Sequence, residues 1–110
     1  MSFLHTLQHI IADRKQSPSA NSYTAYLFAM GDDEIVKKVG EEAMEVLLAV
    51  KGQGADRIVA ESADLIYHLL VLLNAKGLTL EQVEAELESR HKKQGVMVGA
   101  RIPMPPPDPD

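Results

Sequence analysis

An all-α fold, a bundle of four to five helices, is predicted by three features of this sequence. Apolar residues recur three and four positions apart in several separate stretches, the period of one face of a helix. Glycine-bearing breaks at Gly31, at Gly52 and Gly54, and at Gly77 divide those stretches, and no convincing alternating strand or internal repeat lies between them. The chain has 110 residues, 45% of them apolar and 25% charged, enough for one hydrophobic core and too few for two. Residues 1–95 are expected to form the domain and residues 96–110 an extended tail.

The first helix is expected from about Ser2 to Lys15, where Phe3, Leu4, Leu7, Ile10 and Ile11 make an apolar face. The polar, turn-rich run Gln16 to Ser22 ends it. Asn21 or Ser22 then caps a short helix through Tyr23, Tyr26, Leu27 and Phe28, which Gly31 breaks. Asp32 is the expected N-cap of a long helix whose first turn holds Asp33 and Glu34, where the helix dipole favours negative charge. Its apolar face reads Ile35, Val39, Ala43, Val46 and Val50, with Glu34, Lys38, Glu41, Glu42 and Glu45 opposite. The next helix runs from Asp56 to Lys76, with Gly77 at the C-cap. Its second half is apolar nearly all round, which makes it a central helix or part of a subunit interface. Thr79 and Gln82 form a capping box, stapled by Leu78 and Val83, for a last helix through Leu80, Val83 and Leu87 that ends near His91. From Gly95 onward the helical period stops, although Val96 and Val98 suit an extended segment. Residues Pro103 to Asp110 are rich in proline.

The totals exclude several kinds of function. A net charge of −5 disfavours a general electrostatic grip on nucleic acid. With no cysteine there is neither a disulfide framework nor a thiolate metal site, which suits a cytoplasmic protein. Met1 to Ile11 lacks the basic start and unbroken apolar centre of a signal peptide. The chain's unbroken apolar runs, Leu69 to Leu73 among them, are too short to span a bilayer.

Chemistry is concentrated between Lys37 and Asp64. On helices turning 100° per residue, Glu41, Glu42 and Glu45 share an arc of about 100°, and Glu61 and Asp64 lie about 60° apart on the next helix. Two antiparallel helices joined at Gly52 to Ala55 would face these stripes towards each other. Like charges a turn apart cost roughly 0.2 to 0.5 kcal/mol per pair, so the cluster calls for a cation. Oxygen donors alone suit a hard ion such as Mg²⁺ or Mn²⁺. Glu42, Glu45, Glu61 and Asp64 supply four ligands to one ion, and Glu41 helps hold a second or orients a water. A solvated acidic face is the competing reading, disfavoured because Glu61 and Asp64 directly precede a strongly apolar run. Lys37 and Lys38 precede the glutamates, either as phosphate clamps or as ordinary helical ion pairs. Arg57 and His68 share the stripe of Glu61 and Asp64, and His68 is either a hydrogen-bond partner of a ligand carboxylate or a satisfied core histidine. Tyr23 and Tyr26 either pack or stack on a base. His5 and His9, a turn apart, lack a third metal ligand.

The run Lys37-Lys38-Val39-Gly40-Glu41-Glu42-Ala43-Met44-Glu45, followed by Glu61-Ser62-Ala63-Asp64 and Tyr67-His68, closely resembles the phosphoribosyl-ATP pyrophosphatase family of histidine biosynthesis. That family belongs to the all-α, MazG-like nucleotide pyrophosphohydrolases, whose signature is two glutamates, a third three residues on, then Glu and Asp three apart on the next helix. Residues Ser22 to Phe28 resemble the family's segment before the metal helix, and the likeness spans about residues 3 to 92. It implies a bundle of the MazG-like type completed by dimerisation, and Mg²⁺-dependent hydrolysis of phosphoribosyl-ATP to phosphoribosyl-AMP and pyrophosphate, with Mn²⁺ as a substitute. The metal ligands would be Glu42, Glu45, Glu61 and Asp64, with Glu41 assisting them. The catalytic group would then be Glu41, Glu42 and Glu45, and Lys37, Lys38 and Tyr23 would bind the substrate. The expected partners are a small nucleotide and a second copy of the chain, with neither nucleic acid nor membrane. Two other functions share these features: a MazG-like pyrophosphatase of the (d)NTP pool, and a non-catalytic helical dimer that uses the proline-rich tail for docking.

Overall fold

The computed structural model describes residues 2–18 and 22–94, and every described element is a helix: α1 (Phe3–Gln16), α2 (Tyr23–Met30), α3 (Asp32–Gly52), α4 (Ala55–Ala75) and α5 (Leu80–Gln94). The extended segment and tail expected after Gly95, the boundary between domain and tail, and a cap from Asn21 lie outside the described residues. The chain divides into two units, Met1–Thr79 and Leu80–Asp110.

In the first unit α3 and α4 form the dominant pair, α1 packs on α4 and α2, and α2 packs on α3. The core is assembled from Ile11 of α1, Leu27 of α2, Ile35 and Ala49 of α3, and Leu70 and Val71 of α4, all buried. Short connections fix the order of packing. Ser22 accepts a hydrogen bond at its Oγ from the Ala25 N–H (3.0 Å) and so caps α2. Only Gln53 and Gly54 separate α3 from α4, so the two helices run antiparallel. Their far ends are fastened by an ion pair between Asp32 Oδ2 and Lys76 Nζ at 2.8 Å. Helix α4 ends in a Schellman motif: the Leu78 N–H donates to the Leu73 carbonyl (2.8 Å), and the Gly77 N–H to the Asn74 carbonyl (3.0 Å). That motif places Gly77 at φ +74°, a region costly for any residue with a Cβ.

Several expectations need correction. Asp32 is the first residue of α3 and Gly31 its N-cap, with no side-chain capping bond; the Asp32 carboxylate is engaged by Lys76 instead. Of the apolar face expected on α3, Ile35 is buried and Val39, Ala43 and Val46 are half-buried, but near its C-terminal end Ala49 takes the buried place and Val50 is 59% exposed. Glu42 therefore does not lie opposite the packing face. On a helical wheel it falls between Ile35 and Ala49, about 20° from each. Helix α4 starts at Ala55 and ends at Ala75, within a residue of expectation, while α5 continues to Gln94 rather than stopping near His91.

By length and composition α4 is apolar enough to cross a membrane, which the run Leu69–Leu73 alone did not suggest. It packs on α3 and α1, with Glu61 and His68 buried. It also leaves Val59 69% and Ile66 41% exposed, and α3 leaves Val36 (56%), Leu47 (59%) and Val50 (59%) exposed. In the second unit, α5 carries ion pairs one turn apart, Arg90 to Glu86 at 2.9 Å and Lys92 to Glu88 at 3.8 Å.

Candidate active site

The antiparallel pairing of α3 and α4 sets the two acidic stripes against each other. Carboxylate oxygens of Glu42, Glu61 and Asp64 come within 4.8 Å of one another. Around them lies an open groove of about 510 Å³, lined by Lys38, Glu41, Glu42, Glu45, Glu61 and Asp64. Glu45 and Glu41 thus face the same space without joining the three converging oxygens. A more enclosed cavity of about 350 Å³, lined by Arg14, Lys15, Phe28 and Ile35 among others, brings no such set of acids together.

Burial grades the acids. Glu61 is 7% exposed at its side chain and is held by Arg57, which reaches in from one turn earlier on α4. Glu42 is 14% exposed and Glu41 49%. Burial and the neighbouring Asp64 push the Glu42 carboxyl above its ordinary pKa; Lys38 and His68 pull it back, and a hydrogen bond with Glu61 adds to the rise. Lys38 Nζ lies 3.3 Å from Glu41 Oε1 and 3.7 Å from Glu42 Oε2, and that partnership holds its ammonium above the usual lysine pKa. Lys37 differs from its neighbour. It is 59% exposed, pairs with Glu34 at 3.5 Å, and does not line the groove.

His68 is buried behind the acids. Its Nδ1 lies 2.7 Å from the Asp64 carbonyl oxygen and its Nε2 3.0 Å from the Tyr23 hydroxyl. A carbonyl can only accept, so Nδ1 carries the proton, and in the neutral ring Nε2 accepts from the Tyr23 O–H. The imidazole thereby ties α2 to the segment of α4 that presents Asp64. Burial raises the Tyr23 hydroxyl's pKa, and Lys38, Glu42 and Glu34 all lie within its electrostatic reach, which places Tyr23 beside the groove. Its ring is roughly parallel to those of Tyr26 (6.1 Å, 23°) and Tyr67 (6.2 Å, 28°). The Tyr67 hydroxyl pairs with Thr24 Oγ1, a second tie between α2 and α4. Neither tie was visible in the sequence, because both cross more than forty residues with no periodic signal. His68 itself stood on the acidic stripe, and its ring nitrogens bond the Asp64 carbonyl and the Tyr23 hydroxyl rather than a ligand carboxylate.

The model of the phosphoribosyl-ATP pyrophosphohydrolase family matches residues 4–91, which include every residue of this site. The chain belongs to that family. Among phosphoribosyl-ATP pyrophosphatases it is 53% identical to that of Pelotomaculum thermopropionicum over 91 residues, covering 83% of this chain and 93% of the relative. The phosphoribosyl-ATP pyrophosphatase of Clostridium acetobutylicum is 49% identical over 90 residues, 82% of each chain. The histidine biosynthesis bifunctional protein HisIE of Caldanaerobacter subterraneus is 52% identical over 93 residues, which are 84% of this chain and 45% of that longer protein. Pyrophosphohydrolases of this family act on a phosphoric anhydride, and the groove is suited to a metal-dependent version of that chemistry. Its donors are carboxylate oxygens only, a set that fits a hard divalent cation. Burial first, and Asp64 second, raise the Glu42 carboxyl, so the groove disfavours an uncompensated negative charge at that position.

Proposed function

We propose that this chain hydrolyses phosphoribosyl-ATP to phosphoribosyl-AMP and pyrophosphate as a step of histidine biosynthesis in the cytoplasm, with Mg²⁺ as the cation. The observation that carries the reading is the approach of the Glu42, Glu61 and Asp64 oxygens to within 4.8 Å in a groove that also contains Lys38. Those three residues would hold the ion, with Glu45 completing the ligand set from the groove wall. A bound divalent ion supplies neutralisation of phosphate oxygens and a water acidified for in-line attack. Lys38 binds the triphosphate as a point charge, and Lys37 meets only the part that extends past the groove. Glu41, half exposed at the rim, orients the water and accepts its proton. His68 fixes the Tyr23 ring beside the phosphates, where its half-exposed face lines the path of the nucleotide.

A second copy of the chain completes the assembly. Val36, Leu47 and Val50 of α3 fall within about 60° on a helical wheel. Together with the exposed Val59 and Ile66 of α4 they are the apolar residues of the first unit that a second copy would cover.

The activity is tested by pyrophosphate release from phosphoribosyl-ATP, which should require Mg²⁺ and be supported by Mn²⁺. Turnover of dCTP or dUTP with no turnover of phosphoribosyl-ATP would place the chain among nucleotide-pool pyrophosphatases instead. A crystal soaked with Mn²⁺ should show the ion among Glu42, Glu61 and Asp64, and an ion bound elsewhere would overturn the ligand assignment.

A further inference from the structure

Two cations already serve the acidic groove, and they do so differently. Arg57 approaches Glu61 from outside and is 53% exposed. Lys38 lines the groove, is 25% exposed, and lies within 3.7 Å of both Glu41 and Glu42. An ammonium held that close to Glu42 occupies part of the field that a divalent ion needs. Two positive centres a few ångströms apart repel strongly in a partly desolvated site.

We propose that Lys38 is an exchangeable counter-ion. In the metal-free groove it neutralises Glu41 and Glu42, and when a divalent ion takes Glu42 the ammonium is released to the substrate's phosphates. The proposal rests on the divalent-cation reading of the groove and adds a regulation to it. Lys38 opposes the metal when the metal arrives alone and favours it when phosphate arrives too. Because linkage is reciprocal, the metal and the polyphosphate then each tighten the binding of the other through one side chain.

That change of sign distinguishes a counter-ion from a fixed phosphate clamp, which would repel the metal to the same extent with and without phosphate. It also distinguishes Lys38 from Lys37, which carries the same charge one residue earlier but pairs with Glu34 at 3.5 Å. Lys37→Met therefore reports the effect of net charge alone, and Lys38→Met reports the direct pairing as well.

The experiment titrates Mn²⁺ into the full-length wild-type, Lys38→Met and Lys37→Met proteins by electron paramagnetic resonance, without any phosphate. Calorimetric titration of pyrophosphate follows, at saturating Mn²⁺ and again without it, and the weakening in Lys38→Met should appear only with Mn²⁺; equal weakening in both conditions overturns the exchange. Circular dichroism confirms that each variant is folded, and Lys38→Gln repeats the test if Lys38→Met is not. Lys38→Met should bind Mn²⁺ roughly three- to tenfold more tightly than wild type, the worth of one partly buried ion pair. With Mn²⁺ present it should bind pyrophosphate about tenfold more weakly. Lys37→Met should stay within about twofold of wild type for Mn²⁺. Unchanged or weaker Mn²⁺ binding by Lys38→Met, or equal tightening in both variants, overturns the counter-ion exchange while leaving the hydrolase reading intact. A wild-type protein that binds no Mn²⁺ overturns both.

Discussion

Glu42 best shows how one residue serves two ends. It stands on the packing face of α3, and that position gives it both its burial and its elevated pKa. An acid whose pKa is raised by folding is ionised less readily in the native state than in the unfolded chain. Stability is therefore full below the ordinary carboxyl pKa and declines as pH rises through the raised one. Metal-free protein should accordingly melt at a lower temperature near pH 7 than near pH 5 on this residue's account. Added Mg²⁺ should recover more at the higher pH, as calorimetry at both values would show. Glu42→Gln should flatten the metal-free pH dependence and reduce turnover by roughly a hundredfold or more, the usual scale for losing a ligand of a catalytic metal. His68→Phe keeps the bulk but removes the side-chain bonds to the Tyr23 hydroxyl and to the Asp64 carbonyl, which keeps only its helical N–H donor. It should cost about 1 to 3 kcal/mol in a denaturant titration. The acids could be picked out in the sequence because a helical period places them. The partner of His68 could not, since an aromatic hydroxyl two helices away leaves no local trace.

Single helices were legible to within a residue or two wherever a glycine or a cap residue ended them, as at Ser22, Gly31, Gly54 and Gly77. Which face of a helix is buried was less legible. On α3 the apolar residues Val46, Leu47, Leu48, Ala49 and Val50 are consecutive, so composition alone could not choose between Ala49 and Val50. The choice is made by packing on α4, which turns Glu42 inward and Val50 outward. The turn after α4 carries its own prediction. Gly77→Ala forces a Cβ into a left-handed conformation without any steric neighbour, since nothing lies within 4 Å of the added atom. The loss should be about 1 kcal/mol, read as a lower denaturation midpoint with an unchanged slope.

At the scale of the whole molecule, one pair of helices carries the acids along one flank and uncovered apolar residues along another. The sequence indicated the surplus through the nearly all-round apolarity of α4, but not that α3 contributes Val36, Leu47 and Val50. If a second copy covers this surface, Leu47→Glu should convert a dimer to a monomer in sedimentation equilibrium. The helical circular dichroism signal should be retained, because Leu47 is exposed within one chain. Retention of the dimer would show that the interface uses another surface.

The two-residue link between α3 and α4 has a kinetic consequence. All three converging oxygens belong to one continuous hairpin, from Glu42 to Asp64, whose closure requires no contribution from α1 or α2. Contacts so near in sequence form early in folding, before the chain has met the larger entropic cost of its remaining contacts. A divalent ion should therefore act on the rising side of the barrier: in stopped-flow refolding, Mg²⁺ should quicken collapse to the native state rather than merely slow its escape. The future active site would then serve as the seed around which the rest of the first unit condenses.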